Sequence, residues 1–119
     1  MRTFLVELGT GVDLHGQNST TAAIRAVRDA FAHVSLPGLR QVAEVTDFSA
    51  LSIEVRLGVP AEADPVEVER VVKQFPFGNI QVLTQAGGLL APGEAFRPER
   101  GDRSDAILMV NAAIYVRVP

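Results

Sequence analysis

The sequence predicts an α+β fold, a two-layer sandwich in which two helices cover one face of a single, mostly antiparallel sheet. Apolar residues alternate with polar ones in several short segments, as they do in strands with one buried face. Between these segments, two stretches repeat apolar residues at helical spacing. The length of 119 residues is close to the most common domain size, so we expect one domain spanning residues 1–119.

The first predicted elements are a strand, a glycine-rich loop and a helix. Residues 2–8 alternate and predict the strand. Residues 9–16, with the sequence GTGVDLHG, contain three glycines and predict a loop that turns sharply or lets a ligand approach the backbone. Residues 20–34 place their apolar side chains on one helical face, and the Pro-Gly pair at 37–38 predicts the end of this helix.

The second half of the chain predicts four more strands and one more helix. Residues 40–46 predict a weak strand, and residues 50–58, which alternate strictly, predict the clearest one. A helix follows from residue 65 to 75, because Asp64 can cap it and Pro76 ends it. Strands are then predicted at 79–84 and 105–118. Residues 85–104 between them predict a long loop of the kind that is usually functional or mobile.

The resulting order, β-α-β-β-α-β-β, is typical of ferredoxin-like or chorismate-mutase-like sandwiches. Since the helices cover only one face of the sheet, the other face must be solvated or buried in a partner. Strands as apolar as 50–58 and 105–118 favour burial. The chain also resembles the chorismate-mutase-type trimers, which place their sites between subunits. We therefore expect a homo-oligomer, with a trimer preferred.

Composition excludes several classes of function. The chain has no cysteine, which rules out disulfides and thiolate metal sites. The net charge is −3 and no block of Lys or Arg is present, so we expect neither nucleic acid nor a membrane as a partner. The apolar run near the N-terminus is too short for a signal peptide or a membrane span. We expect a soluble cytoplasmic protein.

Asp13 and His15 are the candidate catalytic residues. Two residues apart in extended backbone, their side chains point to the same side and can form an acid/base pair or hold a divalent metal, with zinc or manganese preferred. A third ligand within one subunit would be Glu7, Glu54 or water. His33 lies about 20 Å away along the predicted helix, so it would join as a metal ligand only from another subunit.

Two alternatives to a metal remain open. The loop amides and the N-terminus of the following helix can bind a small anionic molecule, with Gly9, Gly11, Gly16 and Ser19 as the binding residues. Arg97, Arg100 and Arg103 of the long loop would then close over that ligand. The loop can also be purely structural, with Asp13 accepting backbone N–H groups. A dinucleotide fingerprint is disfavoured because Leu14 replaces its third glycine.

The pattern G-x-G-x-D-x-H-G at residues 9–16 resembles the signature of a small conserved-hypothetical family, the Lin family. The likeness continues nearly end to end, including the SLPGL sequence at 35–39 and VNAA at 110–113. That family has no assigned activity. A shorter pattern, G-x-D-x-H, is similar to the zinc site of methylerythritol cyclodiphosphate synthase, which implies Asp13 and His15 as metal ligands. The chain lacks the His-Ser-Asp-Gly-Asp element that follows in that enzyme.

Two hypotheses for function follow from this region. One is a metal-assisted hydrolase or lyase with its site between subunits, in which the metal acts as a Lewis acid or activates water. The other is a non-catalytic, oligomeric ligand-binding or assembly module in which the loop is structural. A third ligand converging on Asp13 would favour the enzyme. Saturation of Asp13 by backbone amides would favour the module.

Overall fold

The chain forms one open five-stranded sheet and three α-helices in a computed structural model that describes residues 1–119. The strands are β1 (Arg2–Asp13), β2 (Ser52–Val59), β3 (Asn79–Ala86), β4 (Leu89–Pro92) and β5 (Ala106–Val118). The helices are α1 (Ser19–Ala32), α2 (Pro37–Gln41) and α3 (Pro65–Val72). This architecture confirms the predicted α+β class.

The sheet has the order β1-β5-β2-β3, and β4 pairs with β5 beside the start of that strand. Three of the four pairings are antiparallel, and only β2 and β3 run parallel, so the sheet is mostly antiparallel as predicted. Because β1 and β2 are both antiparallel to β5, they run in the same direction with β5 between them. The chain therefore contains a β-α-β unit split by its last strand.

The core lies between the sheet and the helices α1 and α3, which pack against each other on one face. The alternation predicted for the last strand is confirmed. Along β5 the buried residues are Leu108, Val110, Ala112, Ile114, Val116 and Val118. Their intervening neighbours point to the opposite, uncovered face, because side chains alternate along a strand. The molecule is thus a two-layer sandwich with one open sheet face.

The prediction of a strand at 40–46 is wrong. The first two residues of that segment, Arg40 and Gln41, instead belong to α2. Pro37 occupies the first turn of this helix, and Leu39 is buried. Proline is favoured at this position because its missing N–H has no helical partner there. The Pro-Gly pair predicted to end the first helix instead lies at the beginning of α2. β2 consequently has no hairpin partner at 40–46 and pairs with β3 and β5.

The segment 85–104 is not a structureless loop. It contains β4, which follows a turn at Gly88, where φ is +67°. A short 3₁₀ turn at Pro98–Arg100 precedes Gly101, which has a φ of +86°. Left-handed backbone of this kind favours glycine, so the two glycines fix where the segment turns. The segment returns along β5 rather than projecting from the domain.

The open face of the sheet combines an apolar stripe with a charged centre. Leu8 of β1 is 66% exposed there and pairs with Ala113 of β5. At the centre, the buried carboxylate of Glu54 accepts hydrogen bonds from Arg56 (3.0 Å) and Arg117 (3.2 Å). These hydrogen bonds outweigh the effect of burial and lower the pKa of Glu54.

The outer edge of β1 is occupied by side chains of α1. The Thr10 amide donates to the Asp29 carboxylate at 3.0 Å, and the Arg25 guanidinium donates to the Val12 carbonyl at 2.7 Å. These backbone groups belong to an edge strand and have no neighbouring strand to bond to. The α1 side chains therefore replace the missing partner. No helix of the structure is long and apolar enough to cross a membrane.

Candidate functional site

The predicted glycine loop is mostly strand, which corrects the prediction that Gly9 and Gly11 lie in a loop. Both lie in β1 with their Cα atoms against α1. A Cβ atom on Gly9 would come within 3.0 Å of Ala30, and one on Gly11 would collide with backbone atoms of Ala22 and Ala26. These glycines serve close packing between helix and strand, since a helix covers the face through which a ligand would approach.

Asp13 is the last residue of β1 and is buried under the start of α1. Its Oδ2 accepts the Asn18 amide at 2.8 Å, and its Oδ1 lies 3.5 Å from the Arg25 guanidinium. Asn18 in turn caps α1 by accepting the Thr21 amide. The carboxylate of Asp13 therefore ties the end of the strand to the beginning of the helix.

His15 follows in the short loop and is oriented by a residue that the sequence analysis did not single out. Its Nδ1 lies 3.0 Å from Oδ2 of Asp102, and its Nε2 lies 3.1 Å from a guanidinium nitrogen of Arg100. Arginine only donates hydrogen bonds, so Nε2 must be the acceptor. This pattern assigns the imidazole proton to Nδ1, which donates it to the Asp102 carboxylate.

Asp102 is the centre of this region. Its buried carboxylate also accepts the Arg97 amide at 2.8 Å, the Gly16 amide at 2.9 Å and the Gln17 side chain at 3.3 Å. Burial raises the pKa of this carboxyl. The hydrogen bonds from His15, Arg97, Gly16 and Gln17 lower it more, so that its pKa falls to about 2. We call Asp102 and these four donors the Asp102 clasp.

Gln17 and Gly16 extend the clasp to neighbouring backbone. Gln17 donates to the Ala106 carbonyl at 2.9 Å and accepts the Arg103 amide at 2.9 Å. Gln17 has a positive φ of +47°, and the φ of its neighbour Gly16 is +96°. Ser19, another predicted binding residue, is buried in the first turn of α1, and its hydroxyl has no hydrogen-bond partner.

The structure brings the loop and the segment 85–104 together, as expected, but the position predicted for a bound anion is filled from within. The carboxylate between them is that of Asp102. Of the three arginines predicted to close over a ligand, only Arg100 uses its side chain here, in a contact with His15. The backbone amide of Arg97 donates to Asp102, and that of Arg103 donates to Gln17. An external anion would have to displace Asp102 or bind outside the clasp.

The predicted metal ligands do not converge. Asp13 and His15 are engaged by different partners, and no group of three or more His, Cys, Asp or Glu side chains is placed to hold a metal ion. His33 caps the far end of α1, where its Nε2 lies 3.0 Å from the Glu7 carboxylate. Within one chain, His33 is therefore separated from His15 by the length of the helix.

A cavity at that far end of the molecule is the feature that the sequence analysis missed. It has a volume of about 390 Å³ and lies between α1, α2, the 3₁₀ turn at Phe48–Ala50 and the sheet. Thirteen of its sixteen lining residues are hydrophobic, and the three polar ones are Glu7, Arg40 and Thr46. Helical periodicity predicts that Phe31 faces the sheet, but it cannot show that a void remains there.

Four phenylalanines form one wall of this cavity and contact one another. Their ring centroids are 5.1 Å apart for Phe31 and Phe75, 5.6 Å for Phe75 and Phe77, and 5.9 Å for Phe48 and Phe77. The planes are inclined by 22–32°, within the range of offset and tilted aromatic packing. The cavity is thus bounded by ring faces as well as aliphatic side chains.

The sheet order, with β5 inserted between β1 and β2, defines the chain as a split β-α-β sandwich protein. It belongs to the family described as "conserved hypothetical protein (Lin0512_fam)", which matches residues 3–116. This result confirms the family resemblance seen in the sequence. These comparisons do not show the similarity to methylerythritol cyclodiphosphate synthase.

Among solved structures, the chain is similar to an FtsZ-like protein of unknown function from Nostoc punctiforme PCC 73102. The two chains are 39% identical, with a TM-score of 0.76. The match covers 97% of this chain and 93% of the other. No curated protein matches the chain.

Proposed function

We propose that this protein is a small-molecule-binding module whose ligand occupies the apolar cavity between α1, α2 and the sheet. The observation that carries the proposal is the cavity itself. Its volume of about 390 Å³ lies within the usual range of ligand sites. Its lining is also typical of such sites, since hydrophobic and aromatic side chains predominate and a few polar groups stand among them.

Packing supports this proposal. The cavity is open to solvent on one side, so its lining side chains do not make there the dispersion contacts that buried core side chains make. Two of the phenylalanines, Phe48 and Phe75, remain 46% and 40% exposed at its border. A ligand with an apolar body would cover these rings and recover the missing contacts.

We favour a binding module over a metal-assisted hydrolase or lyase, because the polar groups at the clasp already have partners. Asp13 accepts a backbone amide, and Asp102 accepts two amides and two side chains. Carboxylates held in this way stabilise loops. The cavity, in contrast, is lined mainly by hydrophobic side chains whose surface favours contact with an apolar ligand.

Filling the cavity should abolish ligand binding. The probe is anilinonaphthalene sulfonate, whose fluorescence rises in apolar surroundings. We expect saturable enhancement with the wild type and at least about a tenfold weaker affinity for Val34→Trp, because the indole would occupy the space of the probe. Val42→Trp is the matched control, since Val42 is 78% exposed and lies outside the cavity. Equal binding by Val34→Trp, with an unchanged circular dichroism spectrum, would refute the proposal.

A second candidate function rests on His15. Asp102 orients its imidazole so that the Nε2 lone pair points outward to Arg100, a surface side chain. A carboxylate behind the imidazole is also how many proteins orient a metal-ligating histidine. If Arg100 moves aside, Nε2 can ligate zinc or manganese or act as a base, with Asp13 nearby in the sequence as the other predicted catalytic residue.

Calorimetric titration with Zn²⁺ and Mn²⁺ separates this candidate from the cavity. The metal hypothesis predicts one site per chain and at least about a tenfold loss of affinity in His15→Ala. His33→Ala is the control, and it should bind metal normally if one subunit provides the site. Loss of binding in both variants would indicate that His33 joins from a neighbouring subunit. Absence of wild-type binding ends the metal hypothesis.

We also propose that the protein forms a homo-oligomer, with a trimer preferred, through the open face of the sheet. Exposed apolar side chains on this face support the proposal, since sheet faces of such composition are usually buried. Leu8→Glu should therefore lower the mass measured by light scattering at tens of micromolar. Val42→Glu should leave it unchanged, because Val42 is exposed away from the sheet. A wild type that stays monomeric at every concentration would contradict this.

A further inference from the structure

We infer that the ligand of the apolar cavity is an aromatic monoanion whose carboxylate pairs with Arg40. This inference rests on the proposed function and adds the chemical class of the ligand. Two independent features of the wall carry it. One is the set of phenylalanine rings. The other is that, of the two charged residues that border the cavity, only one already has a hydrogen-bond partner.

The aromatic part of the inference follows from ring geometry. Phe31, Phe48, Phe75 and Phe77 come from three different parts of the chain and pack together without closing the cavity. Aromatic pairs in offset or tilted arrangements gain energy beyond the burial of their area. A planar ring entering the cavity can extend this cluster in the same geometry, which an aliphatic chain cannot do.

The charge of the ligand is inferred from which of the two charged lining residues, Glu7 or Arg40, already has a hydrogen-bond partner. Glu7 is hydrogen-bonded to His33 at 3.0 Å, so its carboxylate already has a partner. Arg40 lies at the end of α2, is exposed, and forms no ion pair or side-chain hydrogen bond in the structure. It is therefore the charged group of the lining that remains available to a ligand.

A guanidinium favours a carboxylate for two reasons. Its planar donors match both oxygens of a carboxylate, and charge-assisted hydrogen bonds are stronger than neutral ones. At the border of an apolar cavity the pair is also less screened than in open solvent. A cationic ligand would meet repulsion from Arg40 and would have to compete with His33 for the Glu7 carboxylate. A neutral ligand would gain only a weaker hydrogen bond.

The experiment compares three ligands of the same shape on the full chain. They are 2-naphthoate, 2-naphthamide and 2-naphthylmethylamine, measured by isothermal titration calorimetry. We expect 2-naphthoate to bind about tenfold more tightly than the amide, since a hydrogen bond to a charged group is worth about one such factor. The amine should bind most weakly.

Arg40→Gln should remove the preference for the carboxylate while leaving the affinity for 2-naphthamide unchanged. Arg70→Gln is the matched control, since Arg70 is an exposed arginine of α3 outside the cavity lining, and it should retain the wild-type preference. An equal loss in both variants would mean that the charge effect is non-specific, and it would overturn the inference.

Other outcomes separate the inference from the proposed function. If the three ligands bind equally to the wild type and Val34→Trp blocks all of them, the cavity is a ligand site but the anionic class is wrong. If none of them binds and the wild type is an oligomer in which Arg40→Gln or Val34→Trp lowers the mass, a second copy occupies the cavity. That result would overturn both proposals.

Discussion

The variant Gly11→Ala is expected to lose about 3 kcal/mol of unfolding free energy, at the upper end of the cost of overpacking. A Cβ atom at this position would lie within 3.0 Å of the Ala22 carbonyl, the Ala26 amide and the Arg25 side chain. Two of these contacts are with helix backbone, which cannot rotate away as a side chain can. α1 must therefore move from β1 and open the core that it covers.

Chemical denaturation and thermal unfolding measure this effect. The melting temperature should fall by about 10 °C or more for a domain of this size. Gly58→Ala is the control, because a Cβ on this other strand glycine would have its nearest neighbour, the Gly88 amide, at an ordinary 3.4 Å. A Gly11→Ala variant within about 0.5 kcal/mol of the wild type would show that α1 does not pack on β1 as described.

Asp102→Asn is expected to loosen both loops of the clasp and to change how stability depends on pH. The pKa of this carboxyl is about 2 in the folded protein, below its ordinary value of 3.8. Its stabilising contribution is therefore complete above pH 3.8. It declines as the pH falls towards 2 and is absent below that pH. The amide variant lacks this contribution at every pH.

The difference in unfolding free energy between wild type and Asp102→Asn should thus be largest at neutral pH and should shrink below pH 3.8. Hydrogen exchange of the Gly16 and Arg97 amides should become at least about tenfold faster, because both lose a charge-assisted hydrogen bond. Asp105→Asn, at an exposed carboxylate three residues further along the chain, serves as the control. Parallel pH profiles for wild type and Asp102→Asn would contradict the clasp.

The two-layer fold could be predicted because its strongest elements have clear periodicity. The alternation at 50–58 and 105–118 matches β2 and β5, and the helical spacing at 20–34 and 65–75 matches α1 and α3. The error at 40–46 arose from a Pro-Gly pair that is compatible with either end of a helix. The prediction of a loop at the glycines of β1 is wrong for a related reason. A residue without a side chain is compatible with a turn, with an approaching ligand or with a closely packed helix.

Only those residues of the candidate site that are close together in the sequence could be predicted. The sequence placed Asp13 and His15 beside each other, but the partner of His15 is 87 positions away along the chain. Asp102 stands among charged residues of an apparently irregular segment, and nothing in one sequence distinguishes it from Glu99 or Asp105. The cavity was harder still, because its wall joins residues from both strands of the β1–β5 pair, two helices and a 3₁₀ turn.

The side chains of α1 that occupy the edge of β1 protect that edge from pairing with a second chain. While Asp29 and Arg25 hold the Thr10 amide and the Val12 carbonyl, an incoming strand finds these groups of the 12-residue edge unavailable. Detachment of α1 from β1 would free both groups together, beside the apolar side chains of Leu8 and Val12. A template for cross-β growth then appears without unfolding of the sheet. The lag time of fibre formation should therefore shorten in variants that loosen the packing of α1 on β1.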